Sequence, residues 1–94
     1  MGHNGAMVRR RVIVHGEVQG VFFRDTARQR AQDAHVSGWV RNRGDGAVEA
    51  VLEGDDRDVD RVLAFMRTGP ERARIVNVEV VDEDPEGIDG FDVR

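Results

Sequence analysis

The hydrophobic positions in the first third of the chain change period, from two residues to between three and four. Over residues 8–15, valines occupy alternate positions on one face apart from Arg10, which is typical of a strand. Over residues 23–34, Phe23 and three alanines recur at spacings of four, four and three, which predicts a helix with a narrow apolar face. The sequence therefore predicts a strand and then a helix, joined by residues 16–22.

A β-hairpin is the clearest local pattern in the middle of the chain. Residues 36–42 form one predicted strand and residues 47–53 its return strand, in which apolar residues alternate with the others. Between them lies Arg-Gly-Asp-Gly at residues 43–46, and we expect both glycines of this turn to adopt positive φ.

An amphipathic helix and a further long strand follow the hairpin. Four apolar residues recur at i, i+3, i+4 and i+7, as on one face of a helix: Val59, Val62, Leu63 and Met66. We expect a cap at Asp55 or Asp56 and a stop at residues 69–70 to bound this helix. Residues 74–81 form the last long strand, with three alternating valines on one face, and residues 91–93 form a short edge strand.

The order strand–helix–strand–strand–helix–strand predicts the fold class. It is the split βαβ pattern of an α+β, ferredoxin-like sandwich, in which an antiparallel sheet carries two helices on one face. We expect a single domain over residues 8–94, preceded by a flexible, glycine-containing N-terminal lead over residues 1–7. Because many unrelated activities use this architecture, the fold does not by itself give the function.

Composition narrows the classes of function. The 94 residues include 14 basic and 18 acidic residues, no cysteine, four phenylalanines and one tryptophan. Without cysteine there are no disulfides, thiolate metal sites or cysteine nucleophiles, and the three histidines lack metal-ligand spacing. We therefore expect no metal and no cofactor.

The net charge of −4 argues against nucleic-acid binding, and no apolar run approaches the ~20 residues that span a membrane. The first residues lack a hydrophobic signal core, so a cytoplasmic location is expected. A monomer is the simplest expectation for the oligomeric state.

The junction between the first strand and the first helix has features of an anion site. Gly16 and Gly20 allow sharp turns that aim several backbone N–H groups at one point. The start of the helix adds free N–H groups and partial positive charge. Arg24 adds a full charge and a two-pronged donor that fits phosphate. On these residues alone, a phosphate site and a plain turn with a solvated arginine both stay open.

Two separated segments, Gly16 to Arg24 and Gly38 to Asn42, resemble the acylphosphatase family. Residues 16–24, Gly-Glu-Val-Gln-Gly-Val-Phe-Phe-Arg, fit every fixed position of that family's substrate loop, Gly-x-Val-Gln-Gly-Val-x-Phe-Arg. Residues 38–42, Gly-Trp-Val-Arg-Asn, match its Gly-aromatic-Val-Arg-Asn strand end. The resemblance covers nearly all of the chain after Met7. It implies a ferredoxin-like fold and a hydrolase that cleaves the carboxyl–phosphate bond of acyl phosphates.

The resemblance also implies the roles of individual residues. Arg24 and Asn42 would be catalytic, with Arg24 gripping the phosphoryl group and Asn42 orienting the attacking water. A neutral amide can accept a hydrogen bond from water and donate one to a phosphoryl oxygen, so this pair needs neither a metal nor a conventional base. The substrate would be a small-molecule acyl phosphate, with inorganic phosphate as product and inhibitor. Six residues would form the phosphate-binding loop: Glu17, Val18, Gln19, Gly20, Val21 and Phe22.

Other residues near these segments are interpreted as structural. Trp39 is expected in the core or on the sheet surface. Gln19 is expected to support the loop, and Phe22 and Phe23 to pack the loop against the first helix. Glu17 is expected to point to solvent, because a negative charge that faced a bound anion would be unfavourable.

The competing function is a noncatalytic ferredoxin-like module that binds a small anion or another protein. The joint presence of Arg24 and Asn42 favours the enzyme, because binding alone has no use for a water-orienting amide. A ferredoxin-like nucleic-acid binder is disfavoured by the acidic balance and by the absence of an aromatic-rich strand motif. The physiological acyl phosphate and the role of Arg43 stay open.

Overall fold

The computed structural model describes residues 6–94, which form a five-stranded sheet and two helices. The elements are β1 Met7–Glu17, α1 Phe23–Asp33, β2 Ser37–Asn42, β3 Val48–Asp55, α2 Asp56–Thr68, β4 Arg74–Glu83 and β5 Phe91–Val93. The sheet order is β4-β1-β3-β2-β5. The predicted α+β, ferredoxin-like fold is therefore confirmed. Most of the predicted flexible lead, residues 1–5, lies outside the described residues.

The two-residue period of β1 separates the core from the open face of the sheet. Val12 and Val14 are completely buried in the core shared with the helices. Arg9 and Arg11 lie on the opposite face, whereas Arg10 lies on the helical side and its Nη1 donates to Asp60 of α2 at 2.6 Å. The three arginines are thus divided between two faces, as alternation predicts.

Both helices bury the faces that their spacing predicts. α1 buries Phe23, Ala27 and Ala31, and α2 buries the apolar residues of its i, i+3, i+4, i+7 row. The rings of Phe23 and Phe65, with centroids 5.6 Å apart, join the two helices. Because its remaining core residues are small alanines, α1 can pack closely on the sheet.

The ends of α2 follow from its capping residues. The side chain of Asp55 accepts a hydrogen bond from the Arg57 N–H at 3.0 Å, so the first of the two predicted caps is used. At the other end, Gly69 has a φ of 68°, and its N–H donates to the Phe65 carbonyl at 2.6 Å. Residues 69–70 therefore end the helix as predicted.

The prediction of a wholly antiparallel sheet is wrong, because β5 pairs with β2 in parallel. β4 and β5 lie at opposite edges of the sheet, so residues 84–90 must cross between them. β4 runs antiparallel to β1, and β2 runs in the same direction as β1. A single reversal after β4 therefore makes β5 parallel to β2.

Two further local predictions are wrong. Val76 does not share a face with Val78 and Val80, because the β1–β4 register shifts between His15 and Gly16. Val76 is consequently 81% exposed, whereas Val78 and Val80 pack against the core. In the β2–β3 turn, only the second glycine, Gly46, has a positive φ, of 92°.

The open face of the sheet carries paired charges. Arg9 contacts Glu53 at 3.2 Å and Glu83 at 2.9 Å, and Arg11 contacts Glu49 at 2.6 Å and Glu83 at 2.7 Å. Burial opposes the ionisation of Glu53 and Glu49 most strongly, but hydrogen bonds outweigh it and lower both pKa values. Hydrogen bonds from Arg11 and Arg9 lower the pKa of Glu83.

Glu53 also holds the loop that crosses this face. Its carboxylate accepts backbone N–H groups from Glu86 at 3.1 Å, Gly87 at 2.6 Å and Ile88 at 3.3 Å. These bonds fix the path from β4 to β5, and β5 in turn brings the end of the described chain beside α1. Within residues 6–94, neither helix is long and apolar enough to cross a membrane.

Candidate active site

The loop between β1 and α1 is shaped by two glycines. Gly16 has a φ of 135° and lies against β4 so closely that an added Cβ would be 1.9 Å from the Arg74 carbonyl oxygen. Glycine is therefore required for this approach. Gly20 turns the loop with a φ of 73° in open space. The loop then enters α1, whose N-cap is Phe22.

Arg24 and Asn42 come together in a pocket of about 250 Å³. Arg24 lies in the first turn of α1 and Asn42 ends β2, so the pocket lies where the loop meets the hairpin. The same pocket is lined by Val18, Gly20, Phe22, Phe23 and Asp25. Of the six predicted loop residues, Glu17, Gln19 and Val21 do not line it.

Backbone donors in this loop have no protein acceptor. Across the described part of the chain, we find no hydrogen bond donated by the N–H groups of residues 19–22. The N-cap residue Phe22 also makes no side-chain cap bond to the first turn of α1. Free N–H groups at a helix start carry partial positive charge, so the loop can accept an anion.

Arg24 is half-buried and held by one hydrogen bond. Its Nη1 donates to the carbonyl oxygen of Arg94 at 2.9 Å, which ties the start of α1 to the residue after β5. Within residues 6–94 we find no other bond of this guanidinium. The remaining N–H donors of Arg24 can therefore donate hydrogen bonds to a ligand in the pocket. A guanidinium can donate to two phosphate oxygens at once.

Asn42 carries an unsatisfied acceptor. The residue pairs with Val48 across the hairpin, so its backbone is fixed by the sheet. Its Oδ1 is shielded from solvent and has no hydrogen-bond partner among the described residues. Leaving a buried acceptor unpaired costs about 1–3 kcal/mol, and such groups are uncommon in folded proteins. An amide with a free acceptor can receive a hydrogen bond from a water or a ligand.

Gln19 links the loop to the hairpin. Its Nε2 donates to the carbonyl oxygens of Arg43 at 2.7 Å and Ala47 at 2.9 Å. The turn is closed by the Arg43 N–H, which donates to the Ala47 carbonyl at 2.8 Å. The expectation that Gln19 supports the loop is therefore confirmed, and this bridge holds the loop beside Asn42.

Arg43 pairs within its own turn. Its guanidinium lies 3.0 Å from the carboxylate of Asp45. A hydrogen bond from the Ala47 N–H, and then the charge of Arg43, lower the pKa of Asp45. Arg43 therefore has a structural partner and does not line the pocket with Arg24 and Asn42.

The packing prediction for the two phenylalanines is correct for Phe23 and wrong for Phe22. Phe23 is 2% exposed, whereas Phe22 is 76% exposed with a φ of 61°. The left-handed backbone turns Phe22 away from the core, and no sequence pattern indicates that conformation. Glu17 is exposed, as expected. Trp39 is half-buried, with Arg11 and Arg94 over its ring at 5.5 and 4.6 Å.

Sequence reasoning missed two contributors to this site, Asp25 and Arg94. Asp25 lines the pocket, and its place directly after Arg24 was the available signal. Arg94 reaches Arg24 only because β5 pairs with β2, which local patterns do not indicate. Within residues 6–94, no group of three or more His, Cys, Asp or Glu residues could hold a metal ion.

Comparison with known proteins identifies the family of this chain. The acylphosphatase family model matches residues 10–93. An acylphosphatase of Haloarcula marismortui is 57% identical over 89 residues, which cover 95% of this chain and 98% of that relative. An acylphosphatase structure from Coxiella burnetii is 34% identical, with a TM-score of 0.89 over 94% of this chain and 93% of that one. One from Bacillus subtilis is 31% identical, with a TM-score of 0.89 over 93% of this chain and 98% of that one. The resemblance predicted from two segments is confirmed, and the chain belongs to the acylphosphatase family of acyl-phosphate hydrolases.

Proposed function

We propose that the pocket between the β1–α1 loop and the end of β2 is where this enzyme hydrolyses acyl phosphates. The observation that carries this proposal is that Arg24 and Asn42, from separate elements, line one pocket beside backbone N–H groups without acceptors. A cation and free N–H groups suit a phosphoryl group, and the amide suits a neutral nucleophile.

Arg24 and the loop amides grip the phosphoryl group. The net charge of the chain is −4, so attraction of a dianionic substrate has to be local. The guanidinium supplies a full charge and the N–H groups of residues 19–22 supply donors without protein acceptors. Together they spread the charge of the phosphoryl oxygens, which is the main requirement of phosphoryl transfer.

Asn42 orients the attacking water. A rotation of its carboxamide turns the unpaired Oδ1 toward the pocket that the residue lines, where it accepts a hydrogen bond from water. A carboxylate at this position would repel the substrate, whereas the neutral amide does not.

The reaction is a displacement at phosphorus. The water oxygen forms a bond to phosphorus as the bond from phosphorus to the acyl oxygen breaks, and that electron pair leaves on the carboxylate. One water proton stays on the new phosphate, and the other passes to a phosphoryl oxygen or to solvent. The products are a carboxylate and inorganic phosphate, which occupies the same cradle and inhibits.

The quality of the leaving group determines which class of phosphate compound this site can hydrolyse. A carboxylate is a good leaving group, so the pocket needs no strong general acid. Alkyl phosphate monoesters have poor leaving groups and need such an acid, so we expect them to react far more slowly.

The experiment is phosphate release from acetyl phosphate and benzoyl phosphate, with an alkyl phosphate monoester as the contrast, in excess EDTA. We expect turnover of both acyl phosphates, little release from the monoester and no effect of the chelator. Loss of activity in EDTA that a divalent ion restores would overturn the metal-free mechanism. Phosphate binding without turnover would favour the noncatalytic module instead. A monomeric state and a cytoplasmic location stay predictions, and the first is checked by sedimentation.

A further inference from the structure

Phe22 lines the pocket and carries an exposed aromatic side chain. The residue is 76% exposed, although it lines the same pocket as Arg24 and Asn42. Burial of an aromatic ring is strongly favourable, and the next residue, Phe23, is buried in the core. A ligand group that covered the Phe22 ring would provide burial that the folded chain does not.

The backbone keeps the ring at this position. Phe22 has φ 61° and ψ 23°, a left-handed conformation that is unusual for a bulky residue. Its carbonyl oxygen accepts two hydrogen bonds from Thr26, from the backbone N–H at 3.1 Å and from Oγ1 at 2.8 Å. The first turn of α1 therefore fixes the residue in a conformation that places its side chain outside the core.

The in-line geometry of phosphoryl transfer indicates which part of the substrate lies beside the Phe22 ring. In phosphoryl transfer the attacking and leaving oxygens lie roughly in line through phosphorus. If Asn42 holds the water, the acyl group leaves on the side of the phosphoryl group away from Asn42. It therefore meets the other residues that line the pocket.

Among those residues, few offer an accessible side chain. Val18 and Phe23 are 1% and 2% exposed, and Gly20 has no side chain. Asp25 is exposed and offers a carboxylate. Phe22 is thus the exposed apolar side chain of the pocket within the described part of the chain.

We propose that Phe22 contacts the acyl group and gives the site a preference for acyl phosphates with a flat, apolar acyl group. The inference rests on the proposed function, because it needs the water on the Asn42 side. A benzoyl group can stack on the ring, whereas an acetyl group offers only one methyl. Apolar contacts of this size change selectivity about tenfold or more.

The test is the ratio of kcat/KM for benzoyl phosphate to that for acetyl phosphate. Both substrates share the phosphoryl group, so changes in the phosphate cradle cancel in the ratio. Phe22→Asn keeps a residue that tolerates the left-handed conformation but removes the apolar ring. Phe22→Tyr keeps the ring, and Val76→Thr changes an exposed apolar residue on β4, outside the pocket.

We expect the ratio to fall about tenfold in Phe22→Asn and to stay near the wild-type value in Phe22→Tyr and Val76→Thr. An unchanged ratio in Phe22→Asn, or an equal fall in Phe22→Tyr, would overturn the inference. Wild-type enzyme that hydrolyses neither substrate would instead contradict the proposed function. Thermal melting of each variant confirms that the compared proteins are folded.

Discussion

In the mechanism that we propose, Arg24 and Asn42 differ in how their interactions change during the reaction. The phosphoryl group is anionic before, during and after hydrolysis, so the Arg24 guanidinium attracts it in every state. In the same proposal Asn42 acts on the water, whose position matters chiefly in the transition state. The first side chain is therefore expected to affect both binding and turnover, and the second mainly turnover.

Arg24→Lys tests the geometry of the cation rather than its charge. Lysine keeps the charge but loses the planar two-pronged donor. It also cannot reproduce the bond from Nη1 to the Arg94 carbonyl together with a bidentate grip. We expect a higher KM and a lower kcat for acetyl phosphate. Arg28→Lys, an exposed arginine one turn along α1, is the control. Wild-type kinetics in Arg24→Lys would contradict the bidentate role.

At the scale of elements, the proposed site depends on the contact between the loop and the hairpin. The β1–α1 loop carries the donors, but Asn42 belongs to β2, and Gln19 bridges the two at 2.7 and 2.9 Å. Weakening this bridge should shift the loop N–H donors relative to the Asn42 carboxamide, although the substitution changes neither the donors nor the carboxamide. Misplacement by ~1 Å can lower a rate on the order of 10²-fold.

Gln19→Ala removes both hydrogen bonds to the turn. Each such bond contributes about 0.5–1.5 kcal/mol net, so we expect a lower melting temperature and a lower kcat/KM. Gln19→Glu should lower both further, because its carboxylate faces two carbonyl oxygens. Gln29→Ala, on the exposed side of α1, is the control. Melting curves and kinetics at one pH measure both effects, and full activity in Gln19→Glu would show that the bridge does not position the loop.

The elements also explain which features could be predicted. The helix faces and the hairpin are local patterns, and Val59 and Phe23 lie where their spacing placed them. The bulge that exposes Val76 and the parallel pairing of β5 depend on distant strands. The exposure of Phe22 depends on a left-handed backbone. The joint site of Arg24 and Asn42 was indicated by two family motifs, because spacing alone does not bring them together.

The whole molecule is stabilised by ionised carboxylates on the open face of the sheet. Glu49, Glu53 and Glu83 have pKa values held below their ordinary range, despite the burial of the first two. A carboxylate whose pKa is lower in the folded state contributes stability above its unfolded pKa, about 4.3 for glutamate. That contribution is lost as the pH falls through the lower folded value.

We therefore expect the free energy of unfolding to fall as the pH is lowered from about 5 toward 3. Urea titrations at several pH values measure this slope. Glu53→Gln removes one of these carboxylates and weakens the attachment of residues 86–88, so it should be less stable at pH 7 and show a shallower acid slope. Stability that rises toward pH 3 would contradict the assigned direction of these pKa values.

The most direct test of the account compares phosphate binding with turnover in Asn42→Ala and Arg24→Ala. In Asn42→Ala we predict kcat for benzoyl phosphate to fall on the order of 10²-fold or more, by analogy with the loss of one preorganised polar group. Its affinity for inorganic phosphate, measured by titration, should stay near that of the wild type, whereas Arg24→Ala should bind phosphate poorly. Thermal melts establish that both variants are folded. An Asn42→Ala variant that loses phosphate affinity as severely as Arg24→Ala, or that keeps full activity, would contradict the account.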